Sequence, residues 1–307
     1  MVSPLGESDL SPETLNWLVE PSNPSARYLA LTRVLVRPER DGQVLASRAD
    51  IPHAGPARAI LQAQYPQGYW MRPGIGYSPR YRATVWQIIF LAQLGMGRVE
   101  PVDRAVGHLL ASNQREDGAF RARKGPGETP VALNGSLLWA LETLGYGGQP
   151  EVQRAWSWLA QRVDDHGFGD TGGGGRRSSP HGAVKVLWAA NAVPEDRREG
   201  AVTSLGEAAV ASLLATPPDA LREDPRWEQL TFPLADGADA LQWLAVLVEA
   251  GCRDDCRLDQ ARSWLTRKRL LDGRWPLEHV PGKLWADFGE IGGPNKWVTL
   301  RALRVGR

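Results

Sequence analysis

Two kinds of apolar segment alternate along the chain, each long enough for an α-helix. One kind is apolar on almost every side, and the other carries a polar stripe. A helix that is apolar all round is buried all round, whereas a polar stripe faces water. The pattern therefore predicts an inner layer of helices at residues 80–94, 129–144, 180–192, 235–250 and 296–305. It predicts an outer layer at residues 57–64, 102–112, 152–163, 199–215 and 258–270.

A short ending, in which a glycine is followed closely by an aromatic residue, closes several outer segments. It recurs about every 50 residues, with one copy missing, at Gly68-Tyr-Trp70, Gly118-Ala-Phe120, Gly167-Phe168 and Gly273-Arg-Trp275. The glycines that end the inner segments, Gly95, Gly145 and Gly251, follow the same spacing. An internal period of this length is typical of repetitive or closed architectures.

Two further helical segments precede the repeats and bring the number of helix pairs to about six. We expect an all-α fold, an α/α toroid (α/α barrel) of about six helical hairpins. We expect one domain over residues 1–307, in which residues 1–50 close or cap the ring and residues 51–307 carry the repeats. An open solenoid is the alternative, but it needs polar terminal units, and the last segment, NKWVTLRALRV, is not obviously one.

Charge and composition narrow the classes of partner. The chain is 42% hydrophobic and 23% charged, as in globular proteins, with 36 basic and 35 acidic residues. No overall basic field attracts nucleic acid, so none is expected as a partner. No apolar run is long enough for a transmembrane segment and no leader is evident, which predicts a cytoplasmic protein. The sequence leaves contact with a membrane surface and the oligomeric state open.

The repeated endings resemble a known motif. The segment with Arg104, His108, Gln114, Gly118 and Phe120 resembles the QW repeat of squalene-hopene and oxidosqualene cyclases. Further copies lie at Gln64, Gly68 and Trp70, and at Trp264, Leu265, Gly273 and Trp275, where Arg269 or a neighbour replaces the glutamine. Over residues 55–305 the chain is similar to short bacterial members of the terpenoid cyclase and protein prenyltransferase superfamily.

The motif has a structural rather than a chemical purpose. A glutamine at the end of one helix can place its amide on exposed backbone groups of the next, while the aromatic ring covers the junction. We therefore expect these residues to form joints between hairpins. No cofactor is expected, and no metal, because Cys252 and Cys256 lack the further ligands of a zinc site.

A ring of helices leaves a central cavity, which we expect to open where the inner helices begin. Aromatic walls suit an isoprenoid chain because the ring quadrupoles stabilise the carbocations that form along a cyclisation path. Plain core packing is the alternative for each tryptophan. His181 and Lys185 share one helix face and would form a buried ion pair with Asp236 or Asp239, or bind an anionic head group. The candidate substrate-binding residues are Tyr81, Trp86, Asn134, Trp139, His181, Lys185, Trp188, Trp243 and Trp297.

The resemblance also points to candidate acids. Class II terpenoid cyclases protonate a double bond with the middle acid of an Asp-x-Asp-Asp motif, and the nearest match here begins at Asp236 and ends at Asp239. Ala238 occupies the middle position. Asp239 and Asp236 are therefore the candidate catalytic residues; Asp239 would need a pKa raised by burial. A helix N-cap is the alternative for Asp239.

The resemblance implies an isoprenoid-handling protein, which is the leading hypothesis; a protonation-initiated terpenoid cyclase with a degenerate acid motif is one form that it could take. The first alternative is a non-catalytic binder of a lipid or small apolar ligand, which Ala238 favours. A carbohydrate-active α/α barrel would need two carboxylates across a wet cleft. A protein-interaction scaffold would have its cavity filled by side chains.

Overall fold

The computed structural model describes residues 10–123, 129–169, 180–216 and 225–306, and within these ranges the chain is helical, with isolated bridges but no β-strand. The fold is an all-α α/α toroid, as the pattern predicts. The helices are α1 (Pro12–Leu18), α2 (Pro24–Leu29, continued by a π-helix, Ala30–Val34), α3 (Gly42–Asp50), α4 (Gly55–Gln62), α5 (Thr84–Gln93), α6 (Glu100–Asn113), α7 (Val131–Thr143), α8 (Pro150–His166), α9 (Pro180–Ala192), α10 (Ala201–Ala215), α11 (Ala240–Glu249), α12 (Asp259–Arg267) and α13 (Lys296–Val305).

The inner layer consists of the helices that are apolar on nearly all sides. Helices α5, α7, α9, α11 and α13 follow one another as neighbours, and almost every residue of α5 is buried. The helices α4, α6, α8, α10 and α12 bury only one face; α6, for example, buries Val102, Ala105, Val106 and Leu109. The two kinds of segment in the sequence thus correspond to the two layers.

Two inner helices begin several residues later than the pattern indicates, and α7 begins slightly later, at Val131. Helix α5 begins at Thr84 rather than at residue 80, because residues 77–83 form a loop in which Tyr81 has a φ of 68°. Helix α11 begins at Ala240 rather than at residue 235, because Asp239 caps it in an extended conformation. The short helix α3 is not predicted by the pattern.

The joints between hairpins repeat one geometry. The amide nitrogen of Gln64 donates to the carbonyl of Pro101 at 2.9 Å, and that of Gln114 to the carbonyl of Glu151 at 2.7 Å. Both acceptors lie in the first turn of the next outer helix. The amide is therefore used as the repeat predicts. Arg269 makes the equivalent local bond, donating to the carbonyl of Gly273 as Gln114 donates to that of Gly118.

The same joints are fastened to the inner helix that follows. The backbone N–H of Trp70 donates to the hydroxyl of Thr84, and that of Trp275 to the hydroxyl of Thr299. At Phe120 the acceptor is the side-chain oxygen of Asn134, at 2.8 Å. Each aromatic residue is completely buried. One joint therefore ties together two outer helices and an inner one.

Helix α2 lies between the last inner helix and the first. The hydroxyl of Ser25 donates to the carbonyl of Leu94, just after α5, and accepts from the indole nitrogen of Trp297 in α13. In the outer layer, Thr14 of α1 donates to the carbonyl of Asp272. We interpret these contacts as closure of the ring; the division of the chain into one domain with an extension stays a prediction. Among the described residues, every helix is too short or too polar to cross a membrane.

Candidate functional site

A cavity of about 500 Å³ lies at the end of the toroid where the inner helices finish. The last turns of five inner helices line it, with Gln93, Thr143, Ala192, Glu249 and Arg304 among the lining residues. The sequence suggested an opening where the inner helices begin, so this cavity is at the opposite end from the one expected. Helix α2 and its π-helical continuation supply the sixth side.

A second recess, of about 480 Å³, is present where the inner helices begin. Tyr77, His181 and Asp236 line it, together with Arg123 and Arg226. Residues 124–128, which follow Arg123, and residues 217–224, which precede Pro225, lie outside the described residues. The walls of this recess are therefore only partly described.

Two aromatic stacks face the first cavity. Trp139 of α7 and Trp188 of α9 are parallel, with ring centroids 3.7 Å apart and planes inclined by 13°. Trp297 of α13 is stacked on Phe232, with centroids 5.2 Å apart and planes inclined by 3°. Three of the tryptophans named from the sequence, Trp139, Trp188 and Trp297, thus lie on one cavity.

Lys185 lies behind this wall and is completely buried. Its ammonium donates to the side-chain oxygen of Gln242 at 2.9 Å and stands 5.0 Å from the ring centroid of Trp188. Desolvation lowers the pKa of Lys185 to about 7, although Asp239 and Asp236 act in the opposite direction. Among the described residues it has no ion pair; its binding of an anionic head group stays a prediction.

His181 lies one turn before Lys185 and contacts the same neighbour, the start of α11. The backbone N–H of Ala238 donates to Nδ1 of the ring at 3.0 Å. An accepting Nδ1 carries no proton, which assigns the ring proton to Nε2. The shared face of His181 and Lys185 therefore fastens α9 to α11 through Ala238 and Gln242.

The carboxylate of Asp239 is surrounded by donors. It accepts from the backbone N–H groups of Gln242 and Thr231 at 2.7 and 3.0 Å. Both terminal nitrogens of Arg301 donate to it, at 2.6 and 3.1 Å. These four contacts all come from donors. They are the contacts of a helix N-cap in a bidentate ion pair; a catalytic role for Asp239 stays a prediction.

Asp236 is more accessible than Asp239. It accepts from the hydroxyl of Tyr81 at 3.0 Å and forms an ion pair with Arg80 at 2.8 Å. Burial of Tyr81, with the negative charge of Asp236 beside it, raises the pKa of the Tyr81 phenol to about 12. Asp236 lines the second recess, not the aromatic cavity. Its catalytic role and the ligand-binding role of Tyr81 stay predictions.

The remaining candidates have structural contacts in the described part of the chain. The indole of Trp86 is buried and donates to the carbonyl of Tyr77. The amide of Asn134 exchanges two bonds with the backbone of Phe120 and donates to Pro130. Trp243 is also buried. Their roles in binding a ligand stay predictions.

Charged residues at the rim of the cavity were not predicted from the sequence. Arg33 and Arg48 come from the N-terminal elements, and Arg304 is paired with Glu249 at 2.7 Å. Partial desolvation, with repulsion from Arg304, lowers the pKa of the Arg33 guanidinium. The feature that these arginines share in the sequence is their position, since each lies in the last turn of its helix.

Among the described residues, no group of three or more histidine, cysteine or acidic side chains is arranged to hold a metal ion. Cys252 is half-buried and Cys256 exposed, and neither is in a disulfide. The cavity is lined by aromatic, amide, guanidinium and carboxylate groups.

Comparison with known proteins gives only distant structural similarity. No protein-family model matches the chain, and no curated protein matches it. A protein from Actinoplanes is 16% identical, with 81% of this chain and 96% of that chain covered and a TM-score of 0.32. The type II terpene cyclase MstE from Scytonema is 14% identical, with 81% and 94% covered and a TM-score of 0.29. Similarity at this level transfers neither site residues nor an activity.

Proposed function

We propose that this protein binds a small, largely apolar ligand in the cavity between its inner helices. The observation that supports the proposal best is the pair of aromatic stacks, Trp139 on Trp188 and Trp297 on Phe232, which line a space of about 500 Å³. Cavities of this size with aromatic walls are typical of small-molecule sites. The resemblance of the repeats to those of terpenoid cyclases favours an isoprenoid as the class of ligand.

The surroundings of the candidate acids favour a ligand-binding protein over a cyclase. Ala238 stands where the cyclase motif has its proton donor, and Asp239 is held by two backbone donors and Arg301. Asp236 lies at the other end of the ring from the aromatic cavity. A carbohydrate-active site is also disfavoured, because Glu142 and Glu249, two of the three acids that line the cavity, are ion-paired with arginines, which leaves Glu39 without a second free carboxylate.

Binding of N-phenyl-1-naphthylamine, an uncharged dye that fluoresces in apolar surroundings, tests the proposal. We expect saturable binding of one dye per chain to the wild-type protein. Ala245, which lines the cavity, is replaced by tryptophan to fill the space. The Ala245→Trp variant should bind the dye at least about tenfold more weakly, equivalent to about 1.4 kcal/mol.

The matched control is Ala208→Trp, since Ala208 is exposed on the outer helix α10. It adds the same side chain away from the cavity and should leave dye binding unchanged. Circular dichroism establishes that both variants are folded. Equal binding by the wild type and by folded Ala245→Trp would contradict the proposal, as would the absence of binding to the wild type.

Cyclase activity is the second candidate, and the resemblance of the joints to QW repeats supports it. Incubation with squalene, farnesyl diphosphate and geranylgeranyl diphosphate, followed by extraction and mass spectrometry, would detect a cyclised product. A product that is lost in Asp236→Asn would assign the acid to Asp236 and make the protein an enzyme. Unchanged substrates together with dye binding are the outcome that the binder proposal predicts.

A further inference from the structure

Two of the arginines at the rim of the aromatic cavity form no ion pair with the described residues. Four arginines line the cavity, and two of them are ion-paired: Arg301 with Asp239 at 2.6 Å and Arg304 with Glu249 at 2.7 Å. The guanidinium groups of Arg33 and Arg48, the other two, have neither an ion pair nor a hydrogen bond to any described residue. This difference separates them from the arginines that complete the fold.

The positions of Arg33 and Arg48 suit a ligand that enters from solvent. Arg33 is exposed at the mouth, at the end of the π-helix. Arg48 is half-buried, its guanidinium stands 5.4 Å from the ring centroid of Tyr28, and its Nε is buried without an acceptor among the described residues. A buried donor without an acceptor is unfavourable. An acceptor on a bound molecule would relieve that cost.

We propose that the ligand is an amphipathic monoanion, with a carboxylate or sulfonate head at Arg33 and Arg48 and an apolar body against the aromatic stacks. The inference rests on the proposed function, since it concerns the same cavity. It goes further by assigning the chemical class of the head group and the two residues that recognise it.

The charge at the rim favours one negative charge over two. Arg33 and Arg48 supply two positive charges, and Glu39, which also lines the cavity, supplies one negative charge. The formal balance of these three groups is therefore a single positive charge. A monoanion neutralises it, whereas a phosphate monoester, with more negative charge, leaves an excess. Planar guanidinium groups also match the two oxygens of a carboxylate.

The ends of the inner helices act in the opposite direction. Each helix C-terminus carries a partial negative charge of about half a unit, and these ends surround the cavity. The effect is confined to the last turn and is screened by salt. Arg304 already lies in the last turn of α13 to offset it. A cationic ligand is therefore the alternative that a binding experiment has to test.

The experiment measures displacement of bound N-phenyl-1-naphthylamine by four compounds with the same chain: dodecanoate, dodecanol, dodecyl phosphate and dodecyltrimethylammonium. Each is used below its micelle concentration, with acetate as a control for the head group alone. We expect dodecanoate to displace the dye at a concentration at least about tenfold lower than dodecanol. Its advantage should shrink at high salt, because the attraction is ionic. Acetate should displace nothing.

The test variant is Arg33→Gln with Arg48→Gln, and the control is Arg58→Gln, an exposed arginine of α4 outside the cavity lining. The double variant should bind dodecanol as the wild type does and lose the preference for dodecanoate. The control should keep it. If the double variant does not fold, the salt dependence of dodecanoate binding to the wild-type protein decides.

Three results would overturn the inference. The first is equal displacement by dodecanoate and dodecanol, and the second is stronger displacement by dodecyltrimethylammonium. The third is stronger displacement by dodecyl phosphate than by dodecanoate, which would contradict a head group with a single negative charge. In all three the dye still binds, so the proposed function stands. Failure of the dye to bind the wild-type protein would instead remove the proposed function and this inference together.

Discussion

Two buried ionic side chains near the start of α11 are compensated in different ways. Asp239 is 1% exposed and has a full set of donors, including the bidentate Arg301. Lys185 is also buried, but its only hydrogen-bond partner within the described residues is the neutral amide of Gln242. Removing one partner of a buried ion pair is strongly destabilising, because the other charge is left buried without compensation. A buried charge that has no partner instead shifts its own pKa towards the neutral form.

Asp239 should therefore be needed for stability. Asp239→Asn keeps a capping oxygen but leaves Arg301, whose side chain is 14% exposed, without its counter-charge. We expect a loss of about 3 kcal/mol in the free energy of unfolding. The matched variant Asp236→Asn breaks an ion pair with the exposed Arg80 and should cost less than about 1 kcal/mol. Urea denaturation of both variants measures the difference, and equal losses would contradict this account.

Lys185 should make stability depend on pH. Its pKa is about 7 in the folded protein, against an ordinary value of 10.5 in the unfolded chain. Between these values the unfolded chain binds the proton and the folded protein does not. The free energy of unfolding therefore rises with pH across this window, by up to about 1.4 kcal/mol per pH unit from this group.

Lys185→Met removes this contribution while keeping an unbranched side chain of similar length. The wild-type protein should lose stability relative to the variant as the pH falls from 10.5 towards 7, with no further change below. Denaturation curves at several pH values measure this difference, in which the other titrating groups cancel. A difference between the two proteins that stays constant with pH would show that Lys185 titrates normally.

The joints between helical hairpins explain why a glycine recurs after the outer helices. Gly68 and Gly118 have φ values of 87° and 99°, in the left-handed region. A Cβ at either would lie 2.4 Å from a backbone carbonyl oxygen of the next outer helix, that of Arg104 or Arg154. The glycine is needed both for its backbone conformation and for the close approach of two chain segments.

Gly118→Ala should therefore be costly. The left-handed conformation alone costs an alanine about 1–2 kcal/mol, and the contact with Arg154 adds to it. We expect a total loss of at least about 2 kcal/mol in the free energy of unfolding, measured by urea denaturation. Gly107→Ala is the matched control, since Gly107 is exposed within α6 with open space around it. That change should stabilise the protein by about 0.5–1 kcal/mol. Equal effects would refute the assigned role of Gly118.

The helices were largely predictable because burial and periodicity are local properties of the sequence. The bounds of α9 and α13 agree with the pattern, as do the two layers. The boundary was predicted wrongly where capping decides it: Asp239 stops α11 from extending backwards over residues 235–238, although Ala235 and Ala238 are apolar. Helix α3 was missed because it buries only Val44 and Ser47.

At the scale of the whole molecule, contacts between the two ends of the chain decide where the cavity is. Ser25 links α2 to both α5 and α13, and its neighbouring elements bring Arg33 and Arg48 to the rim. These contacts join residues about 70 to 270 positions apart, which no local pattern reports. The aromatic wall could be named from the sequence, but the open end of the ring and the charges around it could not.

The central claim is that a ligand occupies the cavity where the inner helices end. Photo-crosslinking with a 12-carbon carboxylate that carries a diazirine at its far end, followed by digestion and mass spectrometry, tests it most directly. We predict adducts within residues 139–143, 188–192 and 245–249, and their loss when Ala245→Trp fills the space. Adducts concentrated at Tyr81, His181 and Asp236 would contradict the account and place the ligand at the opposite end of the ring.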